Sequence, residues 1–284
     1  MTRKDHGILE SVGLFLKNNK SLLRRAMIGA GVEAFLVKSR QGAFLVRPED
    51  HGVGGSLIKR GEYGVDEIRR ILDLVDSNSS TLFVGAHIGA LVIPVSKNVK
   101  SVTAIEANPD TFYLLEQNIL LNRCTNVCAL QIAASDCAEK LEFIQSRVNS
   151  GGSKRMPVRH SYKYFYDQPH VIEVQANRLD AVVAERHDVI IMDIEGSEYF
   201  AFLGMQRLLA EARHLIAEFV PHHLKDVANV SVAQFLEPIT PHFETLRIPS
   251  RGRTVERRSF LQELDRMYRL NEVDDGIVFS KKSN

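Results

Sequence analysis

The apolar positions of this chain follow different spacings in its first quarter and in the remainder. Residues 7–33 carry apolar side chains at helical spacing with basic residues between them, which predicts one or two amphipathic helices. Two β-rich runs around a turn in residues 33–47 predict a hairpin, and residues 66–75 return to a helical period. We therefore predict an N-terminal helical and hairpin extension over residues 1–75 and a second domain over residues 76–284.

In the second domain, short apolar runs alternate with helical segments. This alternation is typical of a parallel sheet with helices on both faces, so we predict an α/β fold with a doubly wound, mostly parallel sheet. The last two apolar runs, 243–248 and 276–280, flank a polar, arginine-rich insertion and predict an antiparallel edge strand. The other predicted strands are 81–84, 101–105, 127–132, 188–192 and 214–219, and the predicted helices are 89–97, 109–121, 197–211 and 231–239.

One segment interrupts this alternation. Residues 145–170 are polar and rich in Gly, Ser, Arg and Tyr. A stretch of this length without apolar periodicity predicts a long, mobile loop with a functional role.

Charge and cysteine content narrow the possible functions. The chain has 36 basic and 35 acidic residues, so it has no overall field to hold a polyanion, and nucleic acid is a disfavoured partner. The three cysteines, Cys124, Cys128 and Cys137, have no histidine at zinc-finger spacing and suggest neither a metal knuckle nor a disulfide framework. The N-terminus resembles neither a signal peptide nor a membrane span, so we expect a cytoplasmic protein without a membrane partner.

The segment TLFVGAHIGAL predicts a cofactor site. An apolar strand runs into a glycine-rich turn and then a helix, which is where doubly wound sheets bind nucleotides. A dinucleotide site would need glycine at position 87, but this chain has His87. The G-x-x-x-G spacing of Gly85 and Gly89 therefore suits a cofactor without phosphates. A plain turn or a helix-packing role is the alternative.

The next two strand ends add to this site. Glu106 ends the second strand, where a carboxylate can accept hydrogen bonds from both ribose hydroxyls; otherwise it is a surface acid. The small residues at 133–136 suit an adenine ring, or form a plain turn. The predicted cofactor-binding residues are Phe83, Gly85, Ala86, His87, Gly89, Glu106, Ala107, Asn108, Ala134 and Ser135.

Together with MDIEGSEYFAFLGMQRLL, these residues resemble the FkbM-type methyltransferase family. That family has a glycine turn of the form D-V-G-A-N-x-G and a D-x-E-G-x-E segment, and the second motif matches at Asp193, Glu195, Gly196 and Glu198. Further similarity lies in GEYG, LLNRCTNV and SGGS, which begin at residues 61, 120 and 150.

The resemblance implies a Rossmann-like class I methyltransferase fold, S-adenosylmethionine as the methyl donor, and O-methylation in natural-product or glycan pathways. Two positions depart from the family pattern. Phe83 replaces the acid that opens the glycine turn, and His87 replaces an asparagine. The missing carboxylate would be a partner for the ammonium group of the donor.

Methyl transfer to a hydroxyl needs an in-line arrangement and a group that takes the proton. Asp193 and Glu195 could act as a general base or bind a hard cation such as Mg²⁺, although the metal itself is unknown from sequence. Glu198 fits a helix N-terminal acid. His222 and His223 could take the proton without a metal, or be surface groups.

The acceptor would bind near the 145–170 segment and the end of the fifth strand. Cationic and aromatic side chains there could hold a sugar or an anion, unless the segment is a solvated loop. The predicted acceptor-binding residues are Arg155, Arg159, Tyr162, Tyr164 and Glu218.

We therefore predict a methyltransferase that uses S-adenosylmethionine to methylate a hydroxyl of a small molecule, natural product or sugar. Two alternatives remain open. The absence of an acid at Phe83 is compatible with a binding module that has lost its chemistry, and the arginine-rich segments are compatible with an RNA methyltransferase. The sequence also leaves a homo-oligomeric state open.

Overall fold

The computed structural model describes residues 3–282, with side chains from residue 11 onward. Its N-terminal part contains the predicted amphipathic segment as one helix, followed by the predicted hairpin and two further helices. The helix at 53–60 was not predicted, because its two adjacent glycines lower helix propensity. The elements are α1 (Arg3–Ile28), β1 (Phe35–Lys38), β2 (Ala43–Val46), α2 (Val53–Arg60) and α3 (Val65–Leu72).

The remaining elements alternate between strands and helices. Strands are β3 (Ser80–Val84), β4 (Ser101–Glu106), β5 (Val127–Gln131), β6 (Ala133–Ala134), β7 (Glu139–Gln145), β8 (Lys154–Arg155), β9 (His170–Asn177), β10 (Val189–Met192), β11 (His214–Phe219), β12 (Thr245–Ile248), β13 (Arg253–Glu256) and β14 (Asp274–Ser280). Helices are α4 (Val92–Ser96), α5 (Pro109–Leu121), α6 (Tyr162–Phe165), α7 (Leu179–Val182), α8 (Glu198–Leu203), α9 (Gln206–Glu211), α10 (Pro221–His223), α11 (Val232–Leu236) and α12 (Phe260–Leu270).

An eight-stranded sheet forms the centre, in the order β13-β12-β14-β11-β10-β3-β4-β5. The five strands from β11 to β5 are parallel and correspond to the five predicted ones. The predicted antiparallel edge is present and contains three strands, with β14 between β11 and β12. The polar, arginine-rich insertion before β14 contains β13 and α12.

A second sheet has the strand order β6-β9-β7-β8. The segment 145–170, predicted as a long, mobile loop, contains the two-residue strand β8 and the short helix α6 between β7 and β9. Its first residues are held by Asp167, whose carboxylate accepts hydrogen bonds from the Ser146 hydroxyl and the backbone of Arg147 and Val148.

The helix predicted over 197–211 is two helices, α8 and α9, which are separated at Gly204 and Met205. A Cβ at Gly204 would lie 1.9 Å from the backbone oxygen of Ser135, so the chain needs glycine for this close approach. The apolar period continues through the break, which is why the sequence suggested one helix.

The hairpin is attached to the central sheet through α5. The Asn118 side chain accepts a hydrogen bond from the backbone nitrogen of Leu45 and donates one to its oxygen, at 2.6 and 3.2 Å. Phe44 and Val46 are fully buried against Ile93. The N-terminal extension and the second domain therefore share an apolar core.

Among the described helices, none combines the length and apolar character that crossing a membrane would require. The three cysteines are free in the described structure.

Candidate functional site

A cavity of about 480 Å³ opens at the carboxyl ends of β3, β4 and β10. Its walls include the glycine turn after β3 and the acids Glu106, Asp193 and Glu195. Six residues of the predicted N-terminal extension also line it, among them His51 and Tyr63. The site is therefore built from both predicted parts of the chain.

Glycine is needed at position 85 because the end of the neighbouring strand β10 leaves no room for a side chain. Its φ is +91°, and a Cβ there would lie 1.8 Å from the backbone oxygen of Asp193. The Asp193 nitrogen donates to the oxygen of Val84 at 3.0 Å. The ends of β3 and β10 are thus in direct contact, and this contact places the Asp193 side chain beside the glycine turn.

Glu106 is buried at the cavity wall. It accepts hydrogen bonds from the backbone nitrogens of His87 and Asn108, both at 2.8 Å. Burial raises the pKa of Glu106 to about 7, against the effect of these two donors. Each carboxylate oxygen can accept two hydrogen bonds, so each retains capacity for a ligand hydroxyl.

His87 connects the glycine turn to two other segments. Its Nε2 lies 2.8 Å from the Ser150 hydroxyl, which donates to Asp50 at 3.2 Å. Asp50 also accepts from the backbone of Gly52 and Gly54 at the start of α2. Burial lowers the pKa of His87, which favours a neutral ring. Its positive φ of 50° places the ring toward the 150–153 turn rather than toward the sheet.

Glu195 is anchored by two side chains. Its carboxylate lies 2.7 Å from the Lys154 ammonium and 3.3 Å from His223 Nε2. Its backbone adopts a left-handed conformation with φ of +56°, which is uncommon for a residue other than glycine and is found mainly where structure imposes it. Lys154 is buried, so Glu195 supplies the charge that this ammonium requires.

Asp193 differs from the other two acids of the cavity. Its carboxylate is open to the cavity, and within the described residues it has no hydrogen-bond partner. The surrounding protein and the charges of Glu195 and Glu198 nevertheless raise the pKa of Asp193 well above its usual range. Glu198 itself accepts from the backbone of Ile194 and Gly196, so it fixes the turn after β10.

The two histidines predicted for proton transfer lie behind the cavity wall. His223 is buried between Glu195 and Glu218, whose carboxylate lies 3.3 Å from Nδ1, and burial lowers the pKa of His223 well below its usual value. The Tyr164 hydroxyl lies 3.0 Å from His222 Nδ1, and burial lowers the pKa of His222 to about 3. Neither histidine faces the cavity, and neither do Glu218 and Tyr164.

The remaining predicted acceptor residues are dispersed. Arg155 lines the cavity, but its guanidinium lies 2.7 Å from Glu139 and 4.2 Å from the Phe200 ring centre. Arg159 and Tyr162 lie outside the cavity, and Tyr162 is exposed.

Three predicted cofactor residues also lie outside the cavity wall. A Cβ at Gly89 would contact the side chains of Leu115 and Ile93. Asn108 caps α5, and the Ser135 hydroxyl donates a hydrogen bond to Glu139. The other seven predicted cofactor residues line the cavity. Sequence reasoning missed Leu141 and Phe143 of β7, although the alternation in EKLEFIQ could have revealed this strand.

A group of side chains with metal-ligand spacing occurs elsewhere in the described residues. It consists of Asp136, Cys137 and Glu139, outside the cavity, and exposed acidic groups of this kind are common without an ion. Of the acids at the end of β10, Glu195 pairs with the ammonium of Lys154 at 2.7 Å.

Residues 84–248, which are 165 of the 284 residues, match the family model described as the methyltransferase FkbM domain. The chain belongs to this family. The matched region contains the glycine turn, Glu106 and the Asp193 segment, so three of the cavity walls lie within it. The domain that defines this family is a methyltransferase domain.

Individual proteins are less similar. A probable ribosomal RNA small subunit methyltransferase A from Methanosphaera stadtmanae is 35% identical over 69 residues, which are 24% of each chain. The chain therefore spans about a quarter of the curated relative it matches. Methyltransferase FkbM from Methylobacillus flagellatus KT is 17% identical in its crystal structure, with a TM-score of 0.41, over 72% of this chain and 44% of that one. The structure of M. jannaschii TYW2 in complex with AdoMet is 15% identical, with a TM-score of 0.42, over 89% of this chain and 89% of that one.

Proposed function

We propose that this methyltransferase transfers the methyl group of S-adenosylmethionine to a hydroxyl of a small molecule, natural product or sugar. The observation that carries the proposal is a single cavity lined by three acids. The Glu106 carboxylate accepts two backbone hydrogen bonds and can accept more, and Asp193 and Glu195 line the same cavity. The first suits a ribose, and the second pair suits a cationic donor and a hydroxyl that must lose its proton.

The residues fit an adenosine and a methionine group at different ends of the cavity. Glu106 would accept hydrogen bonds from the ribose hydroxyls. Ala134, Leu141 and Phe143 offer apolar contact for the adenine, and the turn at Gly85 would hold the methionine end. When bound, the donor supplies a methyl group on a positively charged sulfur.

Glu195 is our candidate for accepting the hydroxyl proton. It faces the cavity, and Lys154 and His223 fix its position, which is what a general base requires. Asp193, for which the sequence suggested the same role, lies closer to the glycine turn and thus to the donor. His222 and His223 would act through Glu195 rather than on the substrate.

We also propose that this step needs no magnesium. Lys154 already places a positive charge 2.7 Å from Glu195, so a hard cation at the same carboxylate would be repelled. Wild-type turnover should therefore be unchanged by a chelator. Loss of activity that magnesium restores would overturn this part of the proposal.

Labelled methyl transfer tests the function. The protein should methylate a hydroxyl in a panel of sugars and natural products, and Glu195→Gln should lower kcat by about 100-fold or more because the base is lost. Glu142→Gln is the matched control, because Glu142 is exposed on β7 away from the cavity and should keep wild-type kcat. Labelling of RNA instead would overturn the choice of acceptor. Tight donor binding without any product would favour a non-catalytic module.

A further inference from the structure

Phe83 occupies the position of the acid that opens the glycine turn in the family pattern. Its side chain is 2% exposed and packs in the same apolar cluster as Val189 and Ile191 of β10. It can give the donor's ammonium group no charged partner. If the cavity binds S-adenosylmethionine, that ammonium must find its counter-charge at another residue.

The neighbouring strand supplies a carboxylate at the same edge of the sheet. In the parallel register, Phe83 pairs with Ile191 and Val84 with Met192, so the next residue of each strand places Asp193 beside Gly85. The hydrogen bond from the Asp193 nitrogen to Val84 fixes this placement. Asp193 therefore lies one strand across from the position of the missing acid.

Of the acids that line the cavity, Asp193 is the one whose carboxylate is available to bind an ammonium group. Three acids line the cavity within the described residues: Glu106, Asp193 and Glu195. Glu106 holds two backbone donors and Glu195 holds Lys154, whereas the Asp193 carboxylate has no hydrogen-bond partner among the described side chains and backbone. The charged groups that act on it are the carboxylates of Glu195, Glu198 and Glu67 and one ammonium, that of Lys154. Negative groups outnumber the single positive one, and Lys154 is paired with Glu195, so the Asp193 carboxylate favours a cation.

We propose that Asp193 binds the ammonium group of the donor, so that the acid of the glycine turn has moved from β3 to β10. This inference rests on the proposed function, because it assumes that S-adenosylmethionine binds in the cavity. It also accounts for Phe83: once β10 supplies the charge, the position on β3 can carry an apolar side chain that packs in the core.

Calorimetry with two ligands tests the assignment. S-adenosylhomocysteine carries the ammonium group, and 5′-methylthioadenosine lacks the whole amino-acid end. Asp193→Asn should lower the affinity for S-adenosylhomocysteine by about tenfold to a hundredfold, as expected for loss of a charged hydrogen bond. The affinity for 5′-methylthioadenosine should be unchanged. Glu142→Gln should alter neither affinity. The double variant F83D/D193N should recover part of the lost affinity, because it restores an acid one strand away.

The wild-type protein gives an independent comparison. An S-adenosylhomocysteine analogue without the amino group should bind wild type about tenfold to a hundredfold more weakly than the parent compound, and this difference should vanish in Asp193→Asn. Asp193→Ser replaces Asp193→Asn if the asparagine variant does not fold.

The possible failures are distinct. If wild type binds neither ligand, the proposed donor site is wrong. If wild type binds S-adenosylhomocysteine and Asp193→Asn changes that affinity by less than about twofold, the donor site stands and the role of Asp193 is wrong. Equal weakening of both ligands in Asp193→Asn would likewise overturn the assignment, since it would indicate a general disturbance of the cavity.

Discussion

Glu106 should make donor binding depend on pH. Its pKa of about 7 means that the free protein holds this carboxyl partly protonated at neutral pH. Ribose hydroxyls donate to the ionised form, so binding should lower the pKa, release protons and strengthen as pH rises from about 6 to about 8. Calorimetry in two buffers with different ionisation enthalpies measures the protons released.

The variant Glu106→Gln isolates this contribution. It should bind S-adenosylhomocysteine more weakly by about 1.5–3 kcal/mol, because two charged acceptors are lost, and its proton release at this step should disappear. A wild-type affinity that is the same across this pH range would contradict the assignment of Glu106 to the ribose.

Alanine substitutions at Gly61 and Gly85 distinguish the cost of a strained backbone from the cost of a steric clash. Gly61 and Gly85 both have positive φ, but a Cβ at Gly61 meets nothing within 4 Å, whereas at Gly85 it meets the Asp193 oxygen. Gly61→Ala should lower the free energy of unfolding by about 1 kcal/mol, and Gly85→Ala by clearly more, at least about 2 kcal/mol. Urea denaturation measures both. Equal losses of unfolding free energy in the two variants would show that β3 and β10 can move apart to accept the Cβ without further loss of stability.

Gly85 and Glu106 show what sequence can reveal at the scale of single residues. The pattern identified Gly85 and Glu106 as cavity residues, because a glycine turn and a strand-end acid are local features. It could not explain why Gly85 must be glycine, since the obstructing atom belongs to Asp193, more than a hundred residues later. Lys154 was missed for the same reason: nothing local places it beside Glu195.

At the scale of elements, the short strand β8 places one buried cation at the end of β10. Lys154→Met should lower the free energy of unfolding by about 2–3 kcal/mol at neutral pH, because the nearby carboxylates lose their compensating charge. The control is Lys140→Met. Lys140 forms a largely exposed pair with Glu173 at 3.4 Å, and its loss should cost less than about 0.5 kcal/mol.

The pH dependence of the lysine variant has a definite sign. The pKa values of Asp193 and Glu218 are already raised in the folded protein, and removing Lys154 raises them further, because its charge lowers both. A carboxyl group with a raised pKa contributes stability at low pH and loses it as pH increases. The deficit of Lys154→Met relative to wild type should therefore shrink as the solution is made acidic. A constant deficit in urea denaturation would indicate lost packing alone.

Strand prediction succeeded for the apolar runs of the central sheet and missed the more polar strands of the second sheet. The runs of β3, β10 and β11 are almost continuously apolar, as expected for parallel strands covered on both sides. Strands β7 and β9 alternate buried side chains with exposed charged or polar ones, and neither strand was predicted. The sheet that they form was not predicted from the sequence, and neither was the helix α2.

At the scale of the whole molecule, the donor product should stabilise both parts of the chain together. His51 and Tyr63 of the extension line the same cavity as Asp193. S-adenosylhomocysteine at about 100 times its Kd should add about 2.7 kcal/mol to the free energy of unfolding. Hydrogen exchange should show slower amide exchange in α2 as well as in the turn after β3. Protection confined to residues 76–284 would mean that the extension is not part of the donor site.

The pairing of β3 with β10 also has a consequence for how the chain folds. Strands β3, β4 and β5 are neighbours in sequence and in the sheet, but β10 joins them only after more than a hundred residues have been made. Contacts between distant parts of a chain form slowly, because a long loop must close first. During synthesis, the half-sheet β3–β5 would therefore wait with one side of β3 unpaired. The cavity walls contributed by β3 and β10 can come together only after β10 has left the ribosome and inserted beside β3.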